Sequence, residues 1–316
     1  MSKDNICMIN LMGKVPTKLN SHNAGWTYCL ASIINERVDY DVEFVNDPKQ
    51  IHMYKTVVIN NGINYKENVW NFFGGVQQIT LDYLHELSKY KGDLYCFNEP
   101  INFKSLLKRK EITTIPNKPV ITGTTVSKKL ILGDSHALSI YKPGWGINRL
   151  DGKTLHGFLK DPYKYFDKDE TTDLTLYFGN IDVRFHLMRQ PNPSLAVYEL
   201  FAKLCMFIEE ITPDINVTVQ EWLPVEDESR KIPGSGKYKG ESYFGSKEAR
   251  QNLVNLFNGL LNTACTKRYP YKVQKSWLKY PLDFDHMEAR QSVHVRPSSY
   301  LHKNTFINDT RVPTLL

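Results

Sequence analysis

Long hydrophobic runs are missing from this sequence of 316 residues. No apolar stretch approaches the roughly 18 residues that a membrane-spanning helix needs, so we expect no membrane partner. The first 15 residues carry one lysine before a short apolar stretch but no small-residue cleavage site, which argues against a secretory signal. These absences predict a globular protein of the cytoplasm.

Cysteine is scarce, and its spacing is uninformative. The five cysteines include no CxxC pair and no other spacing typical of metal ligands. We therefore expect free, mostly buried thiols, with no metal site and no cofactor.

A concentrated basic arm is also lacking. The net charge of +6 is spread along the chain, with local basic clusters only at residues 104–110 and 230–239. An ordinary basic surface explains this distribution, and a nucleic-acid partner is compatible with it but supported by no motif.

The chain is long enough for two domains, and both are predicted to be α/β. Short apolar runs alternate with amphipathic stretches over residues 1–117, which is typical of βαβ units in a small α/β domain whose role the sequence does not indicate. The stretch 111–127 contains Pro116 and Pro119 and is predicted to be the boundary. A second α/β unit is predicted over residues 118–316.

A candidate nucleophile follows the first strand of this second unit. Residues 129–132 form a short apolar run, and Gly133-Asp134-Ser135-His136 comes directly after it. Ser135 would then stand at the tip of a strand, near the start of a helix whose N–H groups can stabilise an oxyanion.

Two later segments supply partners that a reactive serine requires, because a base and a group that orients the base can come from distant parts of the chain. Residues 173–178 alternate like a buried strand and run into the turn 179–186. Near the C-terminus, two histidines, His286 and His294, are candidates for the base.

In this arrangement the sequence resembles the SGNH (GDSL) hydrolase superfamily, over about residues 119–316. The resemblance implies a flavodoxin-like, three-layer α/β/α domain in which Ser135 is the nucleophile. Gly152 is a looser match to the glycine of the second block. The third block departs from the family pattern: the family has Gly-x-Asn-Asp, whereas this chain has Gly-Asn-Ile-Asp, so that Asn180 is displaced by one position from the usual oxyanion donor.

The displaced asparagine leaves two interpretations of the residues that follow. Arg184 or His186 would supply a cationic oxyanion donor. With Arg184 in that role, Arg184→Gln would cut turnover at least tenfold, about 1.4 kcal/mol, and leave the melting temperature within a few degrees of wild type. Alternatively, Asp182 and Arg184 pair with each other and only hold the turn. Asn180 is the next candidate for the oxyanion donor.

The fifth block is ambiguous as well. His286 has the Asp-x-x-His spacing with Asp283, whereas His294 is followed by the Pro and Tyr that normally follow the family's histidine but has Gln291 at the aspartate position. We favour His294 as the base, with Asp283 or Asp285 to orient it. His136 would gate or line the pocket.

These features predict a serine esterase or deacylase that acts through an acyl-serine intermediate on a small-molecule, carbohydrate or nucleotide ester. Transfer of the acyl group to a hydroxyl of a sugar or nucleotide is the enzymatic alternative, because it shares the first half-reaction. A catalytically degenerate binding protein on the same scaffold, including one involved in nucleic-acid modification, is the alternative from another class.

Overall fold

The computed structural model describes residues 6–11, 27, 29, 31, 42–60, 78–97, 104, 107–108, 111–115, 128–226, 238–241, 243–264, 270–282, 284–287 and 293–302. These residues fall into two compact units, one within residues 1–121 and the other within residues 122–303. Each unit contains one five-stranded sheet. The predicted residues Asp283 and Gln291 lie outside the described part of the chain.

The first unit is a parallel sheet with strand order β2-β1-β3-β4-β5. Its strands are β1 Ile6–Asn10, β2 Val42–Phe44, β3 Thr56–Asn60, β4 Asp93–Phe97 and β5 Thr113–Ile115, with the helix α1 Gln78–Lys89 and a 3-10 helix Pro48–Met53 between them. Its core is built from both strand and helix residues, among them Ile9, Ile59 and Leu87.

The second unit has a parallel sheet of the same relative order, β7-β6-β8-β9-β10. Its strands are β6 Lys129–Gly133, β7 Gly146–Arg149, β8 Asp173–Tyr177, β9 Asn216–Gln220 and β10 Lys272–Gln274. Its helices are α2 Leu155–Phe158, α3 Pro193–Ile211 and α4 Lys247–Ala264, with 3-10 helices at Ser135–Ile140, Pro162–Lys164, Leu187–Arg189, Phe284–His286 and Pro297–Ser299 and a π-helical turn at Asp182–His186. The order is that of doubly wound, flavodoxin-like sheets, so the predicted α/β class is confirmed.

The central strands of the second sheet are buried on both faces. Leu130 and Leu132 of β6, with Leu174 and Leu176 of β8, belong to one core cluster, and Ile131 between them is only 1% exposed on the opposite face. Such near-continuous apolar strands are typical of a parallel sheet covered on both sides. Because the two strands pair in register, their carboxyl ends coincide at Gly133 and Tyr177.

The helices α3 and α4 cover one face of this sheet. In α3, buried side chains recur at helical spacing, as at Val197, Leu200, Leu204 and Ile208. Within α4, Phe257 stacks on Trp222 with ring centroids 3.8 Å apart. None of the described helices combines the length and apolar character needed to cross a bilayer.

Gly179, which follows β8, is restricted to glycine by both its backbone and its surroundings. Its φ is +117°, and a Cβ atom there would lie 2.1 Å from the Trp222 ring. We expect Gly179→Ala to lower the free energy of unfolding by about 2–5 kcal/mol, through backbone strain and overpacking together. Chemical denaturation would measure the loss.

Gly152 provides the matched control, because it also has a positive φ, +73°, but no atom lies within 4 Å of a Cβ built there. Gly152→Ala should lower the free energy of unfolding through backbone strain alone, by about 1–2 kcal/mol. Equal losses in the two variants would show that contact with Trp222 does not restrict position 179.

Candidate active site

Ser135 lies where the central strand β6 ends and the chain turns into a 3-10 helix. The side chain of Asp134 caps this helix and accepts a hydrogen bond from the main-chain N–H of His136 at 2.8 Å. The main-chain N–H of Asp134 donates to the carbonyl of Tyr177 at 3.0 Å, which ties the turn to the end of β8. Residues 131–141 are all buried except Ser135, so the serine is the part of this segment that solvent reaches.

The structure brings His294 to Ser135 across 159 positions of sequence. His294 Nε2 and Ser135 Oγ are 2.8 Å apart. His286 contributes to the same region differently, because its main-chain oxygen accepts from the N–H of Arg296 and the neighbouring Met287 forms a β-bridge with Val295. Among the described residues, His294 is therefore the histidine at the serine, while His286 helps to hold the segment that carries it.

His136, the neighbour of the serine, is fixed rather than free. Its ring is 3% exposed; Nδ1 lies 3.0 Å from Asp134 Oδ1, and Nε2 lies 3.0 Å from the carbonyl oxygen of Val293. The ring centroid is 5.1 Å from that of His294. A gate needs a side chain that can swing, so this burial contradicts the gating role expected of His136, while the lining role stays a prediction.

Asn180 is brought to the nucleophile's turn despite its displacement by one position. Its side-chain Nδ2 lies 3.5 Å from Asp134 Oδ2, and the residue is buried. Gly152 is exposed in the turn after β7, and Leu150 of the same turn donates its N–H to the carbonyl of Gly133 at 2.7 Å. The segments that hold both predicted oxyanion residues therefore adjoin the turn that carries Ser135.

Asp182 does not pair with Arg184, which corrects one of the two interpretations of this turn. Its carboxylate accepts hydrogen bonds from the main-chain N–H groups of Leu155 at 2.7 Å and His156 at 3.3 Å, and so caps α2. Burial raises the pKa of Asp182 to about 6, although these two hydrogen bonds act in the opposite direction. Asp182 thus connects the third block to the loop after β7.

Arg184 is buried in the π-helical turn and pairs with Glu226, which follows β9. Its Nε donates to Glu226 Oε1, while Nη2 lies 3.0 Å from His136 Nε2 and 3.3 Å from the carbonyl oxygen of Val293. Glu226 also accepts from the hydroxyl of Tyr243 at 3.0 Å. π-helical turns often occur at functional sites, and here the turn aims the guanidinium at the segment that carries His294.

The acidic and basic side chains of this buried group stay ionised because each lies close to an opposite charge or a hydrogen-bond donor. Burial alone would raise the pKa of Asp134, but the adjacent His136 ring, the hydrogen bonds from it and Arg184 outweigh burial and hold this pKa below its ordinary value. Burial also opposes ionisation of Glu226 and Arg184, yet their mutual attraction keeps the pKa of Glu226 low and that of Arg184 high. The group therefore contains two carboxylates and one guanidinium as ions at neutral pH.

Sequence reasoning missed Glu226, Tyr243 and Arg250. Arg250 donates to the main-chain carbonyl of Glu226 at 3.1 Å, and its guanidinium lies 4.6 Å from the centre of the Tyr243 ring. One signal was available: Glu226 closely follows β9, and the carboxyl ends of parallel strands are where functional side chains converge. Within the described ranges, no group of three His, Cys, Asp or Glu residues could hold a metal ion.

Comparisons with known proteins leave the family open. No protein-family model matches the sequence, and no curated protein is significantly similar to it. Among solved structures, a protein of Streptococcus pneumonia provisionally described as a platelet activating factor has 15% identity and a TM-score of 0.41, covering 61% of this chain and 88% of its own. An extracellular lipase of Streptomyces rimosus and a phospholipase A1 of Streptomyces albidoflavus each have 13% identity, with TM-scores of 0.35 and 0.33, and each comparison covers 58% of this chain and 98% of the other. At TM-scores below 0.5 these similarities carry no functional argument, which must come from the geometry of the site.

Proposed function

We propose that the second unit is a divergent SGNH-type serine hydrolase that cleaves small esters through an acyl-serine intermediate. The observation that carries the proposal is the 2.8 Å contact between Ser135 Oγ and His294 Nε2 at the carboxyl end of a central parallel strand. A nucleophile and a base within hydrogen-bond reach, at the point where the strand order reverses, are the central pair of the arrangement that serine chemistry uses.

The reaction would proceed in two balanced halves. Ser135 Oγ attacks the carbonyl carbon of the ester while its proton passes to His294 Nε2. Collapse of the tetrahedral intermediate breaks the bond to the leaving oxygen, which takes that proton and departs as an alcohol. Water then attacks the acyl-serine and gives a proton to His294. His294 passes this proton to Ser135 Oγ as the acyl–oxygen bond breaks, which releases the acid and restores the free serine.

The developing oxyanion needs hydrogen-bond donors, and Asn180 is the candidate side chain. Its amide lies beside Asp134, one residue before the nucleophile. Loss of a single such donor typically costs about 10²- to 10³-fold in rate. The main-chain N–H of Gly152 remains the second candidate.

Acyl transfer differs only in the acceptor of the second half-reaction. A hydroxyl of a sugar or nucleotide would replace water at the acyl-serine, and the same Ser135 and His294 would serve both outcomes. The proposed substrate is accordingly a small-molecule, carbohydrate or nucleotide ester.

Labelling with a fluorophosphonate tests the proposal independently of the natural substrate, because the reagent reacts with an activated serine. We expect intact-protein mass spectrometry to show a single adduct that is absent in Ser135→Ala. Peptide mapping should place the adduct on Ser135.

Ser298→Ala is the matched control, because Ser298 is an exposed serine that follows His294 closely in the sequence and does not belong to the proposed site. This variant should label like the wild type. A wild-type protein that stays unmodified after long incubation would refute the hydrolase and favour a binding protein on the same scaffold.

A further inference from the structure

The main-chain carbonyl of Val293 is the meeting point of three segments of the second unit. It directly precedes His294, and its oxygen lies 3.0 Å from His136 Nε2 and 3.3 Å from Arg184 Nη2. His136 belongs to the turn that carries the nucleophile, and Arg184 belongs to the π-helical turn after β8. One carbonyl thus links the segments of both reactive residues.

The donor to this carbonyl follows from the hydrogen bonds of the His136 ring. When the ring is neutral and donates from Nδ1 to ionised Asp134, Nε2 accepts from Arg184, and Arg184 Nη2 also serves the carbonyl of Val293. Because Nε2 is then an acceptor, the donor to the carbonyl of Val293 is Arg184 and not His136.

Arg184 is itself held in place by a buried carboxylate. Glu226 accepts from its Nε, and the Glu226 carboxylate is held by the hydroxyl of Tyr243. Arg184 and Glu226 are each 4% exposed, so water does not compete for these donors and acceptors. A planar guanidinium held at one nitrogen has little freedom at the others, which fixes the direction of Nη2.

We propose that Arg184, anchored by Glu226, is a positioning residue that sets the pose of His294 by holding the carbonyl of Val293. The proposal rests on the function proposed for Ser135 and His294 and assigns Arg184 a role different from an oxyanion donor. Its Nε and Nη2 are directed at Glu226, His136 and Val293, so its described contacts are with neighbours of Ser135 and His294 and not with the serine itself.

The test is a double-variant cycle read by the rate constant of fluorophosphonate labelling. Arg184→Lys keeps the charge beside Glu226 but loses the second nitrogen that reaches Val293. We expect labelling to slow by about 10- to 100-fold, because a displacement of about 1 Å of a reacting group can cost 10²-fold. In the His294→Ala background, the same substitution should change the residual rate by less than about twofold, because there is no base left to position.

Arg189→Lys is the matched control, since Arg189 lies in the next turn and pairs with the exposed Glu241. It should label within about twofold of wild type, because its described contacts are with Phe185, Glu241 and two aromatic rings and not with Val293. A slowing by Arg184→Lys that persists in the His294→Ala background would overturn the positioning role and indicate a direct contact with the reacting oxygen. Labelling of Arg184→Lys at the wild-type rate would overturn it as well.

Glu226→Gln keeps the inference testable if Arg184→Lys does not fold, as thermal unfolding would show. Glutamine retains an acceptor for Arg184 but removes the charge, so we expect a loss of about 3- to 10-fold that also vanishes in the His294→Ala background. A wild-type protein that does not label refutes the function itself, whereas a labelled wild type with additive losses refutes only the positioning by Arg184.

Discussion

His294→Ala is expected to reduce turnover of an aryl ester by about 10³-fold or more while the KM changes little, because removal of a general base raises the energy of the transition state and not that of the bound substrate. The 2.8 Å contact with Ser135 is lost in this variant, and no other described ring nitrogen lies within hydrogen-bond distance of that hydroxyl. Steady-state kinetics of wild type and variant would measure the effect.

His286→Ala is the comparison that makes this result specific. Its described contact with the segment of His294 is through the main-chain oxygen, which alanine retains. We expect turnover within about threefold of wild type, because a substitution without contact to the reacting atoms leaves the transition state unchanged. The opposite ranking of the two histidines would return the role of base to His286 and its Asp-x-x-His spacing.

The second large effect concerns stability. Arg184→Met should lower the free energy of unfolding by about 3–5 kcal/mol, because it leaves the carboxylate of Glu226 buried without its partner. The sequence alone predicted that Arg184→Gln would change the melting temperature little. Because Arg184 forms a buried ion pair, we now expect its replacement to destabilise the protein. Urea denaturation followed by circular dichroism would measure the change.

A paired replacement distinguishes a buried ion pair from simple loss of packing. In Arg184→Met with Glu226→Leu, both charges are gone, and we expect at least about half of the lost stability to return, as is typical when a buried pair is replaced by apolar residues. If adding Glu226→Leu to Arg184→Met destabilises the protein further, the loss in Arg184→Met does not come from an unpaired buried charge.

The sequence was sufficient for the central strands and for the position of Ser135. Residues 130–132 are apolar and residues 173–178 alternate like a buried strand, and both patterns are typical of strands inside a covered parallel sheet. The Gly-Asp-Ser turn after β6 predicted the nucleophile, and the two late histidines were the candidates for the base. The preference for His294 over His286 agrees with the contact that the structure places at the serine, while the catalytic roles remain predictions.

Other elements were missed for different reasons. The helix Pro193–Ile211 was not predicted, although its buried residues recur at helical spacing and its first residue is a proline capped by Asn192, so the signal was present. The edge strands Gly146–Arg149 and Lys272–Gln274 are too short to show a period. The pairing of Arg184 with Glu226 joins two loops 42 positions apart, and only the folded sheet brings them together.

The contact at Val293 is made by a main-chain oxygen, so a scan of side-chain substitutions would not detect it. Substituting the valine changes a side chain that the contact does not use, so alanine scanning would report position 293 as silent even though its carbonyl joins the segments of nucleophile and base. An amide-to-ester replacement of the bond between residues 293 and 294, introduced by chemical ligation, weakens that oxygen as an acceptor and would reveal what the scan conceals. In a set of related sequences, we therefore expect the residue at position 293 to vary, whereas the arginine at position 184, which contacts its carbonyl, should not.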